Sequence, residues 1–280
     1  MIQKSYNDTA SLYLIPTPIG NLDDITVRSL NTLKTVDVIL CEDTRDTGLL
    51  LSHYDIKKKL VSCHEYNEDK IIDNVISMLK DGLNVGLVTD QGTPIISDPG
   101  YIVSRGVIEA GFNVISLPGA TAFVPALTSS GIEPSPFVFY GFLNSKSSKQ
   151  KTELSTLKSL KYTIIFYESV HRMKETLTNM LEILGDRQIA VCRELSKIHE
   201  EIVRDKISNI IPLVDTMKGE FVIVVEGNKE IVDFSNLNVI EHVKMYVEDG
   251  MKEMDAIKQV AKERGVAKSI IYNEYHNGKW

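Results

Sequence analysis

The chain has 280 residues, of which 43% are hydrophobic and 25% are charged. This composition is typical of a folded globular protein of about two domains and excludes collagen, coiled-coil and wholly disordered proteins. The 38 acidic and 31 basic residues give a net charge of -7, so any contact with nucleic acid must use a local basic patch.

Short β-rich runs alternate with helical periodicity in the first part of the chain. Strands are predicted at residues 12–15, 36–41, 85–89 and 114–117. A first helix is predicted from about residue 24 to 33, with Asp23 and Asp24 as N-cap residues. Strands separated by helices imply parallel pairing with right-handed crossovers. Residues 11–118 are therefore predicted to form a three-layer α/β domain.

A second α/β domain is predicted for residues 119–228, with strands at residues 137–142, 162–167, 188–193, 199–204 and 221–225. Its later strands follow one another closely, which favours a mixed sheet with antiparallel pairs. The chain then becomes polar, as a linker would, over residues 228–238.

Residues 239–280 are predicted to form a small helical extension with helices at residues 239–247, 253–264 and 267–275. The extension resembles a helix-turn-helix, with Gly265 at the turn. Its seven basic residues are matched by seven acidic ones, and duplex binding depends mainly on positive charge. Nucleic-acid contact and a packing or dimerisation role therefore both stay open for this extension.

Three loops rich in proline and glycine follow predicted strands, at residues 16–21, 89–100 and 118–121. Open α/β sheets bind ligands at the carboxyl ends of their strands. Glycine lets the backbone approach a ligand closely, and Asp90 can accept hydrogen bonds from a ribose or an amine. A single loop of this kind is better explained as a connection between a strand and a helix, but three in one domain predict a ligand site.

Charged side chains cluster at three further strand ends, residues 41–45, 167–172 and 193–197. They are candidates for a functional site, and local ion pairing with helix capping is the alternative. A basic stretch also lies between Lys146 and Lys161 and a shorter one at residues 57–59, where a solvated surface is the favoured interpretation.

Several familiar chemistries lack their signatures. The chain has no G-x-G-x-x-G, P-loop, H-E-x-x-H or G-x-S-x-G motif, and its six histidines show no ligand spacing. No metal site is therefore predicted. Cys41, Cys63 and Cys192 are too widely spaced for a disulfide framework, and the sequence shows neither a signal peptide nor a membrane-spanning run. We expect a soluble cytoplasmic protein.

The ordered motifs as a set carry a family resemblance. The runs YLIPTPIGNLDDIT (13–26), CEDTR (41–45), DQGTPIISDPG (90–100), FYESVHR (166–172) and RELSK (193–197) resemble the ribosomal RNA branch of the tetrapyrrole methylase family. The resemblance spans residues 12–227, and the tail resembles the helical extension of that branch. It implies two three-layer α/β domains of the tetrapyrrole methylase type, with a cofactor cleft between them and a small C-terminal helical segment.

The resemblance also implies an activity. Members use S-adenosylmethionine to methylate the ribose 2'-hydroxyl of a decoding-centre cytidine in the 16S rRNA of the small ribosomal subunit, and they usually form homodimers. The cofactor-binding residues implied by position are Pro18, Ile19, Gly20, Asp90, Gly92, Thr93, Ile95, Thr121, Ala122, Phe221 and Val222.

The chain departs from the commonest pattern of that branch at three positions. Thr89 and Gln91 stand where Ser and Ala are usual, and Val170 stands where Pro is usual. The first loop lacks the G-x-G-P-G-D of the corrin-ring methylases, which favours the RNA branch.

The resemblance does not settle the catalytic base. Methyl transfer to a 2'-hydroxyl is helped by a group that takes the hydroxyl proton. We hypothesise that one of four residues does so, namely Glu42, Asp43, Glu168 or Lys197, and that Arg45, Arg172 and Arg193 bind the RNA backbone. Two alternatives stay open, a methyltransferase of a corrin-like small molecule and a non-catalytic ribosome-assembly factor.

Overall fold

The structure is a computed structural model that describes residues 3–5, 9–229 and 237–277. The chain divides into two compact units, Met1–Asn228 and Lys229–Trp280. Most of the predicted linker, residues 230–236, lies outside the described residues. Whether residues 11–118 and 119–228 are separate domains stays a prediction.

Within the described part of the first unit, five parallel strands form one sheet. They are β1 (Ser11–Leu14), β2 (Val38–Cys41), β3 (Lys59–Ser62), β4 (Val85–Leu87) and β5 (Asn113–Ser116), in the sheet order β3-β2-β4-β1-β5. The helices between them are α1 (Val27–Thr35), α2 (Thr44–His53), α3 (Glu68–Lys80) and α4 (Tyr101–Glu109). All five strands therefore end at the same edge of the sheet.

Apolar side chains cover both faces of this sheet. Leu12 and Leu40 belong to one buried cluster, and Ile39 and Cys41 belong to another. Since neighbouring residues of a strand point to opposite faces, the uninterrupted apolar runs of β1 and β2 place a core on each side. The edge strand β3 is more open and begins with the exposed Lys59, which is a usual protection of a free sheet edge.

The predicted N-caps of α1 were wrong. The helix begins at Val27, and the Thr26 side chain accepts a hydrogen bond of 3.0 Å from the Ser29 amide. Asp23 and Asp24 lie earlier, in a short 3-10 turn that Asn21 caps. The extended residue Ile25 separates that turn from the helix, so their carboxylates lie outside the first turn of α1.

A second sheet of the same unit is mixed, as predicted. Its described strands are β6 (Phe137–Phe142), β7 (Thr163–Ser169), β8 (Gln188–Arg193), β9 (Glu201–Lys206) and β10 (Glu220–Val225), in the order β6-β7-β10-β8-β9. Only the β6–β7 pair among these described strands is parallel. The helices α5 (Phe123–Ser130), α6 (Ser147–Leu157), α7 (Met173–Leu184) and α8 (Ile207–Ile210) complete it. Both faces are covered: Phe166 lies in the cluster that includes Met173 and Leu177 of α7, and its neighbour Tyr167 lies in the cluster that includes Phe123 and Ala126 of α5.

The second unit contains α9 (Val239–Glu248), α10 (Glu253–Glu263) and α11 (Lys268–Asn277). These three helices match the prediction, and Val243, Ile257 and Ile271 form part of their common core. Buried in the same unit is His242, whose Nε2 lies 3.0 Å from Oε2 of Glu263. No helix among the described residues is long and apolar enough to cross a membrane. The predicted fold class is confirmed by this architecture.

Candidate active site

A cavity of about 340 Å³ lies in the first unit, between residues of the two sheets. Small-molecule sites typically enclose roughly 300–1,000 Å³. Its lining combines loop residues that follow β1, β4 and β5 with strand residues of the second sheet: Ile19, Gln91, Gly92, Thr93, Ile96, Ser97, Asp98, Thr121, Ala122, Phe142, Tyr167, Glu168, Ser169, Cys192, Leu195, Glu220, Phe221 and Val222. The cavity therefore lies at the edge where the parallel strands end, as expected for an α/β sheet.

The structure brings most of the predicted cofactor-binding residues to this cavity. The ones that line it are Ile19, Gly92, Thr93, Thr121, Ala122, Phe221 and Val222. Three others, Pro18, Gly20 and Asp90, line a second cavity of about 170 Å³ that shares Gln91 with the first. Ile95 instead packs against the core of the first sheet. Its predicted contact with a cofactor is the one that this geometry supports least.

Hydrogen bonds hold the three loops together. The backbones of Thr17 and Gly92 exchange two hydrogen bonds of 2.9 and 3.1 Å, and the Thr17 hydroxyl donates to the Thr89 carbonyl. The Thr93 hydroxyl donates to the Ala120 carbonyl at 2.8 Å. Gly92 has a φ of 88°, a conformation that favours glycine. The loops thus form a fixed rim rather than three separate connections.

Carboxylates give one side of the cavity a negative character. Burial is the largest cause that raises the pKa of Asp98, which lines the cavity, and the nearby Asp90 raises it further. The Thr89 hydroxyl donates to Asp98 at 2.8 Å and opposes this shift. Burial and the charges of Asp90 and Asp98 also raise the pKa of Glu42. Coupled carboxylates of this kind favour a cationic ligand and mark a candidate functional site.

Asp98 and Tyr167 line the cavity, but neither was predicted from the sequence as a site residue. Burial raises the pKa of Tyr167, while hydrogen bonds from Thr121, Phe123 and Ala122 to its oxygen oppose that rise. The phenol therefore contacts the start of α5 from the other side of the cavity. Asp98 is the second aspartate of the loop 89–100, and its place after a strand of the parallel sheet was the signal that could have found it.

The predicted base Asp43 is engaged in local structure. Its side chain caps α2 by accepting the Arg45 amide at 2.7 Å, and it pairs with the Arg45 guanidinium at 2.6 Å. The hydrogen bond from the Arg45 side chain is the largest cause that lowers the pKa of Asp43 to about 2. A carboxylate of such low basicity is a weak proton acceptor.

The predicted base Glu168 is one of the residues that line the cavity, but its carboxylate is bound to Thr176 of α7, on the face of β7 opposite α5. Its side chain is 1% exposed and accepts hydrogen bonds from the Thr176 hydroxyl at 2.6 Å and from the Ser169 amide at 2.8 Å. Arg172 lies 3.4 Å from it and also donates to the carbonyls of Leu143 and Asn144. Glu168 and Arg172 are thus parts of one internal hydrogen-bond network. This geometry disfavours Glu168 as the catalytic base and Arg172 as an RNA contact.

The predicted base Lys197 lies between two carboxylates. Its Nζ is 3.1 Å from Oε1 of Glu194 and 2.9 Å from Oε2 of Glu220. Burial opposes its charge, but the hydrogen bonds to Glu220 and Glu194 outweigh burial and raise its pKa. The ammonium group is therefore protonated at neutral pH and cannot accept a proton. Its stem packs so closely on Gly20 that a Cβ there would lie 2.3 Å from Cγ of Lys197.

The two remaining predicted RNA contacts differ in exposure. The Arg45 side chain is 86% exposed and, although paired with Asp43, faces solvent. Arg193 is 20% exposed and lies 3.1 Å from Glu201. All three charged clusters thus contain the ion pairs that were the alternative explanation, and Arg45 keeps the best access to a phosphate. The described residues contain no cluster of histidine, cysteine and carboxylate side chains suited to a metal ion.

Comparisons with known proteins identify the family. A family model described as Tetrapyrrole (Corrin/Porphyrin) Methylases matches residues 11–211. The chain is 48% identical to the ribosomal RNA small subunit methyltransferase I of Bacillus subtilis (strain 168), with 98% of each chain covered. It is 41% identical to the protein of the same name from Haemophilus influenzae, over 94% of this chain and 95% of that one.

Solved structures show the same fold at low identity. The chain resembles uroporphyrin-III-C-methyltransferase from Thermus thermophilus with a TM-score of 0.57 at 18% identity, over 78% of this chain and 94% of that one. It also resembles a diphthine synthase with a TM-score of 0.57 at 13% identity, over 81% of this chain and 94% of that one. The chain therefore belongs to the tetrapyrrole methylase family, and within it to the branch of the ribosomal RNA small subunit methyltransferases I.

Proposed function

We propose that the protein is an S-adenosylmethionine-dependent methyltransferase of small-subunit ribosomal RNA, and that it methylates the ribose 2'-hydroxyl of a decoding-centre cytidine in 16S rRNA. The observation that carries this proposal is the gathering of seven predicted cofactor-binding residues around one cavity. The names of the full-length relatives support the substrate class.

The cavity fits the proposed cofactor in its chemistry. Cys192, Leu195 and Val222 form an apolar wall, and burial raises the pKa of Cys192 to about 11, so its thiol is neutral. A Cβ on Gly92 would lie 3.4 Å from Ile19 and 3.7 Å from the Ala120 carbonyl oxygen, so the three loops lie close together beside the cavity. When bound, S-adenosylmethionine supplies a methyl group on a sulfonium cation, and the carboxylate of Asp98 on the lining matches that positive charge.

We assign the role of proton acceptor to Asp98. It lines the cavity, and burial raises its pKa above the ordinary value for aspartate, which brings its basicity closer to neutral pH. Of the four bases hypothesised from the sequence, Glu42 is the one that keeps comparable properties, since its pKa is raised and it interacts electrostatically with Asp98. The charge of Asp98 helps to keep the pKa of Glu42 high, and Glu42 is the second residue to test.

Binding of RNA by this acidic chain requires a basic surface. We propose that Arg45, after the second strand, contributes a phosphate contact because its side chain is 86% exposed. A ribose 2'-hydroxyl also explains RNA rather than DNA as substrate. A homodimer and a cytoplasmic location, both predicted from the resemblance and the sequence, belong to this proposal.

The test is transfer of a labelled methyl group. The purified protein is incubated with methyl-labelled S-adenosylmethionine and small ribosomal subunits from a strain that lacks the enzyme, and RNA and protein are counted separately. We expect label in 16S rRNA, and loss of at least about 100-fold in rate for Asp98→Asn. Cofactor binding without labelled RNA would contradict the proposal and favour the small-molecule or the non-catalytic alternative.

A further inference from the structure

A row of aromatic side chains runs from the edge strand β6 to the cavity. Phe123 stacks on Phe139 with ring centroids 4.7 Å apart, and Phe139 meets Tyr167 edge-on at 4.9 Å. Phe142, at the end of β6, meets the same Tyr167 at 5.6 Å with an interplanar angle of 66°. Phe142 lines the cavity, yet 52% of it is exposed. The row thus ends in an aromatic ring that is open to solvent at the mouth of the site.

The backbone turns Phe142 toward the cavity. The register of the β6–β7 pair shifts between Phe139 and Gly141, and Gly141 has a φ of 81°. Such a bulge redirects the side chain that follows it. A Cβ on Gly141 would lie 3.0 Å from Oγ of Ser97, so β6 contacts the loop that carries Asp98. The exposed ring and the proposed proton acceptor therefore lie on neighbouring segments of the rim.

Internal hydrogen bonds fix the chain directly after Phe142. Arg172 donates to the carbonyls of Leu143 and Asn144 at 2.7 and 3.0 Å. The Asn144 amide donates to Glu153 at 2.9 Å. A backbone that is already anchored loses little conformational entropy when a ligand contacts the neighbouring side chain. The ring of Phe142 is thus preorganised rather than a mobile surface group.

The surroundings of Phe142 favour a nucleobase as its partner. Buried residues such as Val222 and Leu195 form the inner walls of the cavity. The half-exposed ring of Phe142 at the mouth is instead accessible to a substrate that approaches from solvent. The exposed Lys146 and Lys149 follow within seven residues, and positive charge near an aromatic ring is the usual combination at sites for single-stranded nucleic acid.

We propose that Phe142 is the platform on which the target cytosine stacks, so that its ribose is held over the cavity next to Asp98. This proposal rests on the proposed function, since it needs an RNA substrate. RNA-binding modules commonly hold splayed-out bases on aromatic side chains. Phe142 is then a substrate-binding residue that acts on the RNA and not on the cofactor.

The first experiment compares Phe142→Leu with Phe137→Leu. Phe137 lies on the same strand and is 41% exposed, but packs beside Phe123 with centroids 6.2 Å apart instead of lining the cavity. We expect Phe142→Leu to lower kcat/KM for small subunits by about 5- to 150-fold, which corresponds to the usual strength of stacking on one base. Phe137→Leu should change it less than twofold, and calorimetric binding of S-adenosylmethionine should be unchanged in both variants.

Each other outcome has a defined meaning. Equal activity of Phe142→Leu and the wild type would overturn the platform while leaving the proposed function intact. Parallel loss of cofactor affinity and activity would also overturn it, since Phe142 would then be a wall of the cofactor site. A wild-type protein that labels no rRNA would overturn the proposed function, and the platform with it.

A fluorescence measurement keeps the proposal testable if Phe142→Leu folds poorly. The chain has a single tryptophan, Trp280, so Phe142→Trp in a Trp280→Phe background reports from the platform alone. We expect small subunits to quench this introduced tryptophan strongly, and the one in the matching Phe137→Trp variant much less. If the Phe142→Trp protein methylates the subunit and its fluorescence is not quenched, the platform is overturned.

Discussion

Replacement of Glu168 separates a structural role from a catalytic one. Its carboxylate is buried and accepts hydrogen bonds from Thr176 and from the Ser169 amide. Glu168→Ala leaves both donors without that acceptor, at a cost of about 1–3 kcal/mol each. The ion pair with Arg172 is long at 3.4 Å and its arginine is 27% exposed, so it contributes little more. We expect a loss of about 3 kcal/mol in the free energy of unfolding, or about 6–12 °C in Tm.

The assay is thermal and denaturant unfolding of Glu168→Ala and Glu168→Gln, together with methyl-transfer rates. Glu168→Gln keeps an oxygen for Thr176, and we expect an intermediate stability and a turnover within about threefold of the wild type. Glu182→Gln is the matched control, because Glu182 is 55% exposed in its pair with Lys151, and should change stability by less than about 0.5 kcal/mol. A Glu168→Gln protein with wild-type stability and a 100-fold loss of turnover would refute this reasoning and make Glu168 the base.

Three further predictions concern the site. Gly20→Ala should destabilise the protein by about 1–3 kcal/mol, because the new Cβ would lie 2.3 Å from Cγ of Lys197. Adding Lys197→Ala should restore the part of that loss that comes from the clash in a double-mutant unfolding cycle, and strict additivity would contradict the contact. Single-turnover rates should fall as the pH decreases through the raised pKa of Asp98, because the proton acceptor must be deprotonated. If Asp98→Asn shows the same fall in rate at low pH, Asp98 is not the proton acceptor. Filter binding should show that affinity for small subunits falls steeply with salt, whereas a flat response would exclude recognition through phosphates.

The sequence predicted the architecture well where apolar periodicity was strong. The strands over residues 137–142 and 188–193 have the predicted bounds, and the three helices of the second unit agree to within three residues. The strand Lys59–Ser62 and the helix Thr44–His53 were not predicted. The strand is short and partly exposed at the sheet edge, so it lacks the continuous apolar run that identifies a buried strand.

The composition of the site was less predictable than the fold. Motif positions indicated the loops around the cavity, because sequence order fixes which strand ends meet at one edge. Residue types alone did not separate the roles of the charged clusters: Asp43 caps a helix, Glu168 is buried on the opposite face of β7, and Lys197 is held by two carboxylates. Those roles depend on side-chain direction and on partners distant in sequence. The position of Asp98 on the cavity lining depends on the same long-range packing.

The identity of the methylated nucleoside tests whether the protein methylates the ribose of a cytidine in 16S rRNA. Small subunits from a strain lacking the enzyme are incubated with the purified protein and methyl-labelled S-adenosylmethionine, and the 16S rRNA is digested to nucleosides and resolved by mass spectrometry. We expect the label in 2'-O-methylcytidine, and we expect Asp98→Asn to remove it. Label on the cytosine ring or on another nucleoside would contradict the proposed ribose chemistry.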